Sequence, residues 1–377
     1  MKQELKDLLL ILTDKEKYKK EIYERYKDVL NSFDDLLGDN NEDMSILFYL
    51  VNRHYLHWLD ADVDKAISEK EILFRRKFYS ILKKVGPKML GCTQVIENRN
   101  YVNNPSSNKA DSPVVLPKEP VIFASNHGFR DDVLATTLAA GRHGYIYWGS
   151  LPQFYNTFDG TAASLVGEIM INRKNKNSKN LSIKKVDKVM KYGTDLIIFP
   201  EGGWNKTSEV LTNKLWKGVY NFSVNQNCKV VPIVHYVRDM EIVDKKNIIH
   251  TIIDDPIPLY EMSEKEALIY LRDVLCSWQY KMAEIYGKTT REEELKGYIN
   301  SDQKWDDCVK KRMVGVARYD SELEKKSDYR PKEIILPEDV FEPITKIKNI
   351  TAENIKMIED AKKLVKERKK IDFQRNY

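Results

Sequence analysis

Three histidines in this chain are each followed, five positions later, by an aspartate. The pairs are His57 and Asp62, His127 and Asp132, and His250 and Asp255. A histidine held by a carboxylate can act as a general base, because it titrates near neutral pH and the carboxylate fixes its tautomer. Since the spacing occurs three times, it does not by itself select a catalytic pair.

The surrounding sequence selects His127. This residue follows the apolar run at 121–124, and Asp132 opens the next helical stretch. His57 lies instead in a helical segment, and His250 lies inside a run typical of a strand. Catalytic side chains of open α/β sheets collect where strands end. We therefore predict that His127 and Asp132 form the catalytic pair.

Two further apolar runs end in residues suited to binding. The run at 195–199 leads through a proline to Glu201 and Gly202, and the run at 168–171 is followed by Arg173. A charged residue beside glycines suits ligand binding, since backbone N–H groups can approach a substrate there. The alternative for Glu201 is a turn in which its carboxylate is solvated.

The region 120–285 alternates short apolar runs with stretches of helical periodicity. The predicted strands are 121–124, 145–148, 168–171, 195–199, 229–235 and 248–253, and the predicted helices are 131–140, 178–192, 214–225 and 263–286. This alternation predicts an α/β fold with a mixed, mostly parallel sheet flanked by helices.

The rest of the chain is predicted to form three further regions. Residues 1–100 read as a helical N-terminal region, 101–120 as a linker, and 288–377 as a charged, partly helical extension that ends in a basic helix at about 352–370. The catalytic domain is then 121–287.

The clearest N-terminal element is a helix that begins at Ser68, which stands three residues before Glu71 as in a capping box. It carries an apolar stripe with many flanking cations. The stripe is Phe74, Phe78, Ile81, Leu82 and Val85. Such a helix can lie in a membrane interface, or it can pack on the core with a solvated basic face, as most amphipathic helices do.

Composition excludes several classes of protein. The formal net charge of the 377 residues is +5, and no arginine-rich arm or zinc-finger spacing accompanies it, so no nucleic-acid partner is predicted. The four cysteines lie far apart without a Cys-x-x-Cys pair, which argues against a structural metal site and a disulfide framework. The sequence shows no signal peptide and no apolar span of about 20 residues, so we predict a cytoplasmic protein with at most peripheral membrane contact.

Four sequence blocks together resemble the glycerolipid acyltransferase family typified by lysophosphatidate acyltransferase. The blocks are Asn126-His127 with Asp132, Gly167-x-Ile-x-Ile-x-Arg173, Phe199-Pro-Glu-Gly202 and an apolar block around Pro232. They cover about residues 115–240. Four blocks in this order are far more specific than any one of them.

The resemblance implies transfer of a fatty acyl group from acyl-CoA or acyl-carrier protein to an acceptor hydroxyl, most simply that of a lysophospholipid such as 1-acylglycerol-3-phosphate. His127 would be the general base and Asp132 would orient it, so neither a metal nor another cofactor is required. Five other positions would bind or shape the substrates with Arg173, which would pair with an acceptor phosphate. They are Asn126, Gly167, Glu201, Gly202 and Pro232.

The chain departs from the family pattern at two places. The family commonly has serine two residues after the histidine, where this chain has Phe129, and it commonly continues Thr-Arg-Ser after Phe-Pro-Glu-Gly, where this chain has Gly203, Trp204 and Asn205. The second phosphate-binding arginine is therefore absent, with Lys206 as a possible substitute. These departures leave a glycolipid, an aminolipid or another hydroxyl compound open as the acceptor.

Two alternatives retain the same residues. In the first, the His127 and Asp132 pair activates water, which makes the protein an acyl thioesterase or lipid hydrolase. In the second, the protein binds lipid or serves as a scaffold without catalysis, although the presence of both residues argues against this.

Overall fold

The computed structural model of the protein describes residues 63–90, 93–106, 114–128, 131–149, 163, 165–171, 176–203, 205, 211–237 and 248–287. The predictions for residues 1–62 and 288–377, including the basic helix at 352–370, lie outside these ranges.

The described residues form helices and strands in alternation. The helices are α1 (Val63–Ala66), α2 (Glu69–Met89), α3 (Arg99–Asn103), α4 (Asp132–Ala139), α5 (Lys176–Lys191), α6 (Gly218–Gln226) and α7 (Glu264–Tyr286), with a 3-10 turn at Leu259–Glu261. The strands are β1 (Thr93–Ile96), β2 (Ile122–Ser125), β3 (Gly144–Gly149), β4 (Glu168–Ile171), β5 (Asp195–Ile198), β6 (Val230–Tyr236) and β7 (Ile248–Ile253).

The strands pair into one seven-stranded sheet in the order β1-β7-β6-β2-β5-β3-β4. Strands β2 to β6 are parallel to one another, β7 is antiparallel to β6, and β1 is parallel to β7. The predicted mixed, mostly parallel α/β fold is confirmed. We call the side where the five parallel strands end the carboxyl edge of the sheet, and the opposite side the amino edge.

Helices cover both faces of the sheet, which explains why its central strands are continuously apolar. All four residues of β2 and of β5 are buried. Helices α5, α6 and α7 contribute to the core cluster on one face, and α4 packs on the other. Helix α7 begins with a complete capping box, in which Ser263 and Glu266 each bond to the other's backbone N–H.

The sheet begins earlier in the chain than predicted. Strand β1 lies within the region 1–100, which was predicted to be helical, and α3 extends into the predicted linker at 101–120. Strand β1 is an edge strand whose side chains are mostly exposed, so it lacks the apolar run that marks the buried strands. The first structural element of the sheet therefore precedes the predicted domain boundary at 121.

Helix α2 packs through a different face from the apolar stripe that the sequence showed. Its buried side chains include Ile72, Arg75 and Tyr79, and the Arg75 guanidinium lies 5.7 Å from the centre of a tyrosine ring of β3. The predicted stripe points outward, with Phe74 41% exposed and Ile81 54% exposed. Phe78 and Leu82 of the same stripe are half-buried. The helix therefore packs on the core with its lysines in solvent, as one of the two interpretations has it, while part of the stripe stays exposed. None of the described helices has the length and apolar character needed to span a bilayer.

Candidate active site

The turn that follows β2 and carries Asn126 and His127, which we call the catalytic turn, lies at the carboxyl edge in the middle of the sheet. Strand β2 lies between β6 and β5, and His127 follows the last residue of β2 by two positions. Glu201 follows the end of β5 by three positions. The two motifs meet because adjacent parallel strands end at the same edge.

His127 and Asp132 form a direct hydrogen-bonded pair. The Nδ1 atom of His127 lies 2.8 Å from Oδ2 of Asp132, and the same oxygen accepts the backbone N–H of Gly128 at 3.0 Å. A carboxylate in this position holds the proton on Nδ1 and leaves Nε2 as the basic nitrogen. Asp132 is fully buried in the first turn of α4, where a negative charge is stabilised by the helix dipole.

The imidazole is held from the other side by an aromatic ring. The centroids of the His127 and Phe199 rings are 4.5 Å apart, with the ring planes tilted by 37°. The His127 side chain is 15% exposed while its aspartate is not exposed at all. A substrate can therefore reach the imidazole, and the carboxylate stays protected behind it.

The side chain of Asn126 bonds to the backbone of β6. Its side-chain Nδ2 donates to the backbone carbonyl of His235 at 2.9 Å, and its Oδ1 accepts the backbone N–H of the same residue at 2.8 Å. Both ends of the amide are used to tie the catalytic turn to β6. In the structure Asn126 therefore supports the turn, and its predicted contact with substrate stays a prediction.

Glu201 also faces the protein rather than an open pocket. Its carboxylate is 2% exposed and accepts the backbone N–H of His127 at 2.8 Å. Burial raises the pKa of Glu201 to about 8, against the opposing effect of its backbone donors and of Arg272. The alternative in which Glu201 is solvated in a turn is wrong, and its predicted place in the wall of the acceptor pocket is not supported.

Of the two glycines in the motifs, only Gly202 lies at the carboxyl edge. Gly167 precedes β4 and is therefore at the amino edge, where it has a φ of +122° and a side chain would collide with the ring of Tyr145. These two features explain the glycine structurally, and its predicted contact with substrate stays a prediction. Gly202 has a φ of +70° and lies against the indole of Trp216, so glycine is required there for both its backbone conformation and its small size.

Pro232 lies inside the sheet. It is buried in β6 opposite Ala124, and its carbonyl accepts the backbone N–H of Asp254, one residue past the end of β7. Proline has no backbone N–H to donate. It is tolerated in this central strand because it lies opposite the residue after the end of β7, where the regular hydrogen bonds between the strands have stopped. Its predicted place in an acyl-chain wall stays a prediction.

Several residues of the motifs lie outside the described ranges, and their roles stay predictions. They are Arg173, Phe129, Trp204 and Lys206.

The backbone contacts of two asparagines at the site were not predicted from the sequence. Asn205 donates its backbone N–H to the carbonyl of His127 at 2.5 Å, and Asn213 donates its backbone N–H to Glu201 at 2.7 Å. Asn205 occupies one of the positions where the chain departs from the family pattern. Because both residues act through the backbone, their side-chain identity gave no signal of these contacts.

A buried histidine supports helix α4, which carries Asp132. His235 bonds through Nε2 to the hydroxyl of Thr136 on α4 at 2.8 Å, and through Nδ1 to the hydroxyl of Thr251 on β7 at 2.9 Å. Burial lowers the pKa of His235 from its ordinary value of 6.5 to about 3. The imidazole is therefore neutral and links α4 to two strands.

We expect the protein to lose stability in mild acid because of His235. The unfolded chain takes up a proton at this residue below about pH 6.5, whereas the native state does so only near pH 3, so the contribution is complete above pH 6.5 and is lost as the pH falls towards 3. Between pH 7 and pH 5 the free energy of unfolding should fall by about 2 kcal/mol more in the wild type than in His235→Gln. Urea denaturation at the two pH values measures both proteins, and equal losses would contradict the assignment.

The other two histidine and aspartate pairs do not form a comparable site. His57 lies outside the described residues. His250 bonds to Glu97 at 2.7 Å instead of Asp255, and its ring stacks on Tyr286. Within the described ranges, no group of three or more His, Cys, Asp or Glu side chains is placed to hold a metal ion.

The sequence of this region matches a known family. The family model described as Acyltransferase matches residues 96–236, from the end of β1 to the end of β6, and includes the whole catalytic turn. The chain therefore carries an acyltransferase domain. This confirms the acyltransferase family that the motifs predicted and the assignment of the protein as an acyltransferase enzyme.

Comparison with individual proteins gives more distant likenesses. Among solved structures, the chain is similar to PlsC, the 1-acyl-sn-glycerophosphate (LPA) acyltransferase of Thermotoga maritima, at 14% sequence identity and a TM-score of 0.40, covering 65% of this chain and 98% of that one. A likeness at this level does not assign a role to any residue. A sequence search of curated proteins gives no match.

Proposed function

We propose that the enzyme transfers a fatty acyl group from an acyl thioester, acyl-CoA or acyl-carrier protein, to the hydroxyl of a lysophospholipid such as 1-acylglycerol-3-phosphate. The observation that carries the proposal is the 2.8 Å pair of His127 and Asp132 at the carboxyl edge, inside the segment that matches the acyltransferase model. No bound cofactor enters the proposed reaction, because the thioester itself supplies the activated acyl group.

Each step has a group to carry it. Nε2 of His127 takes the proton of the acceptor hydroxyl as its oxygen attacks the thioester carbonyl carbon. The C–S bond then breaks, and the thiolate receives the proton from the imidazolium. Asp132 stabilises the imidazolium between the two proton transfers. The acceptor oxygen is the nucleophile, so the enzyme supplies none of its own.

A phosphate on the acceptor is the most specific part of the proposal. It rests on the resemblance of 167–173 to the block in which an arginine binds phosphate, since a guanidinium pairs well with phosphate oxygens. We expect Arg173→Ala to raise KM for a phosphate-bearing acceptor without changing KM for a neutral one. An equal change for both acceptors would favour a non-phosphate substrate.

The activity is tested by measuring thiol release from acyl-CoA and from acyl-carrier protein across a panel of acceptors. The panel contains lysophosphatidate, a neutral monoacylglycerol, a glycolipid, an aminolipid and a sample with no acceptor, each run beside His127→Ala. The proposal predicts release that saturates with lysophosphatidate and falls to the variant's rate without an acceptor. Release that is independent of acceptor would identify a thioesterase, and a wild-type rate equal to the variant's in every sample would overturn the catalytic proposal.

We further propose that the protein is cytoplasmic and binds the anionic face of a membrane through α2. The outward stripe of this helix includes Phe74 and Ile81, and Phe74 packs edge-on against Phe78 at 4.9 Å. Lysines are exposed along the same helix at 70, 77, 83, 84 and 88, and its acidic residues are confined to the first turn. An apolar stripe flanked by cations fits an interface of acyl chains and anionic headgroups.

Sedimentation with liposomes tests this surface. We expect the double variant Phe74→Asp and Ile81→Asp to lose at least ten-fold in binding to vesicles that contain phosphatidylglycerol, because two charges replace apolar side chains at the proposed interface. The control carries Ile183→Asp and Val224→Asp, which replace exposed apolar residues on α5 and α6. Equal binding by the two variants would contradict the assignment of α2 as the membrane surface.

A further inference from the structure

Each oxygen of the buried Glu201 side chain accepts one backbone N–H group. Its Oε1 accepts the N–H of His127 at 2.8 Å and its Oε2 accepts the N–H of Asn213 at 2.7 Å. With 2% of the residue exposed, the side chain lies behind the catalytic turn. A carboxylate that bridges two backbone segments fixes their relative position, because each bond loses strength when its geometry changes.

Helix α7 holds the far side of this bridge. Arg272 donates through Nε and Nη2 to the carbonyl of Thr212, at 3.3 Å each, and Gln279 donates to the hydroxyl of Thr212 at 2.7 Å. All three residues are buried. The segment that contains Asn213 is therefore fastened to a 23-residue helix whose position is set by the sheet.

His127 is held at both of its backbone polar groups by the segment after β5. Glu201 accepts its N–H, and the N–H of Asn205 donates to its carbonyl at 2.5 Å. The 2.8 Å contact between the imidazole and Asp132 requires the His127 backbone to stay in place. Displacement of a reacting group by about 1 Å can lower a rate by about 100-fold.

We propose that Glu201 is a positioning residue, which couples the catalytic turn to helix α7 and does not bind the acceptor. The inference rests on the proposed role of His127 as the base. It changes the meaning of the Phe199-Pro-Glu-Gly202 block in this chain: the glutamate orders the base through its backbone, and the acceptor is bound elsewhere.

The variant Glu201→Gln tests the coupling with little change of volume. Its amide has one acceptor oxygen, so one of the two backbone N–H groups loses its partner. We expect kcat to fall at least ten-fold, with KM for the thioester and for the acceptor unchanged within about three-fold. Hydrogen–deuterium exchange should become faster in the peptide that contains the group left unpaired, either 121–132 for His127 or 211–217 for Asn213. Glu284→Gln, which removes an exposed carboxylate from α7, should change none of these quantities.

Three results would overturn the inference. An increase in acceptor KM with kcat retained would place Glu201 in the acceptor pocket. Unchanged exchange in both 121–132 and 211–217 would mean that Glu201 does not order the catalytic turn. A fall in kcat that only follows a loss of folded protein, measured by circular dichroism, would reduce the role to general stability. If Glu201→Gln does not fold, Arg272→Lys perturbs the same connection from α7 and must lower kcat without changing acceptor KM. The exchange measurement tests the role of Glu201 even if no acceptor supports transfer, because the exchange rate depends on the backbone hydrogen bonds and not on the reaction.

Discussion

Replacing His127 with alanine is expected to lower kcat for acyl transfer by about 10²–10⁴-fold, the usual contribution of a positioned general base. The fold should be retained, because the His127 backbone bonds to Glu201 and Asn205 do not involve its side chain. KM for the thioester should change little, since proton abstraction from the acceptor occurs only in the transition state. Thiol release under saturating substrates measures the loss, and circular dichroism confirms the fold.

The matched control for this variant is His250→Ala. His250 is also paired with a carboxylate, at 2.7 Å from Glu97, and it also heads a His-x4-Asp sequence. It lies on β7 opposite Tyr236, where its ring bonds to Glu97 and stacks on Tyr286. We expect its kcat to remain within about two-fold of the wild type. Similar losses in the two variants would mean that neither histidine is the specific base.

The positions of β2 to β7 along the chain could be predicted from the sequence, because most of these strands are short apolar runs separated by helical periodicity. The predicted strand 168–171 matches β4, and 248–253 matches β7. Boundaries failed where the signal was weak: the helix predicted at 214–225 begins only at Gly218. Edge strand β1 was missed because its side chains are mostly exposed, and exposed positions of a strand need not be apolar.

Periodicity in α2 identified an apolar stripe but not the direction in which it points. A helix that presents Ile72, Arg75 and Tyr79 to the protein buries a guanidinium, which a hydrophobic pattern counts as a surface residue. Arg75 is accommodated because Glu71 lies 3.6 Å from its Nε and a tyrosine ring lies beneath it. Glu71 lies four residues earlier on the same helix, but the tyrosine comes from β3 and is invisible in the helix sequence.

The predicted site residues differ in how well the sequence indicated their roles. His127 and Asp132 were identified because their chemistry resides in their side chains and their positions follow a strand. Asn126 and Glu201 were identified as part of the site, but their amide and carboxylate bind backbone groups. A polar side chain at a strand end looks the same in a sequence whether it faces a substrate or the protein.

The supports of the catalytic turn come from three separate elements. Asn126 fastens it to β6, the segment after β5 holds the His127 backbone, and Asp132 on α4 orients the imidazole. The position of α4 depends in turn on His235, which links it to β6 and β7. Each support acts on a different group of the turn. Loss of a supporting side chain such as that of Asn126 therefore displaces the catalytic residues without removing them.

The variant Asp132→Asn should show that the carboxylate is needed as an acceptor. In the native protein a single oxygen of Asp132 accepts both the imidazole N–H of His127 and the N–H of Gly128. If the amide nitrogen faces His127, it donates to Nδ1 and places the ring proton on Nε2, which removes the base. We expect kcat to fall by about 10²–10⁴-fold with the overall fold retained.

The neighbouring variant Asp131→Asn is the control, since it makes the same chemical change one residue earlier, before α4 begins. Its kcat should stay within about three-fold of the wild type. The two variants together separate the loss of an oriented base from the loss of negative charge at the start of the helix. A retained kcat in Asp132→Asn, with the wild type active, would require His127 to be oriented by its backbone supports alone, and would transfer the main orienting role from Asp132 to Glu201 and Asn205.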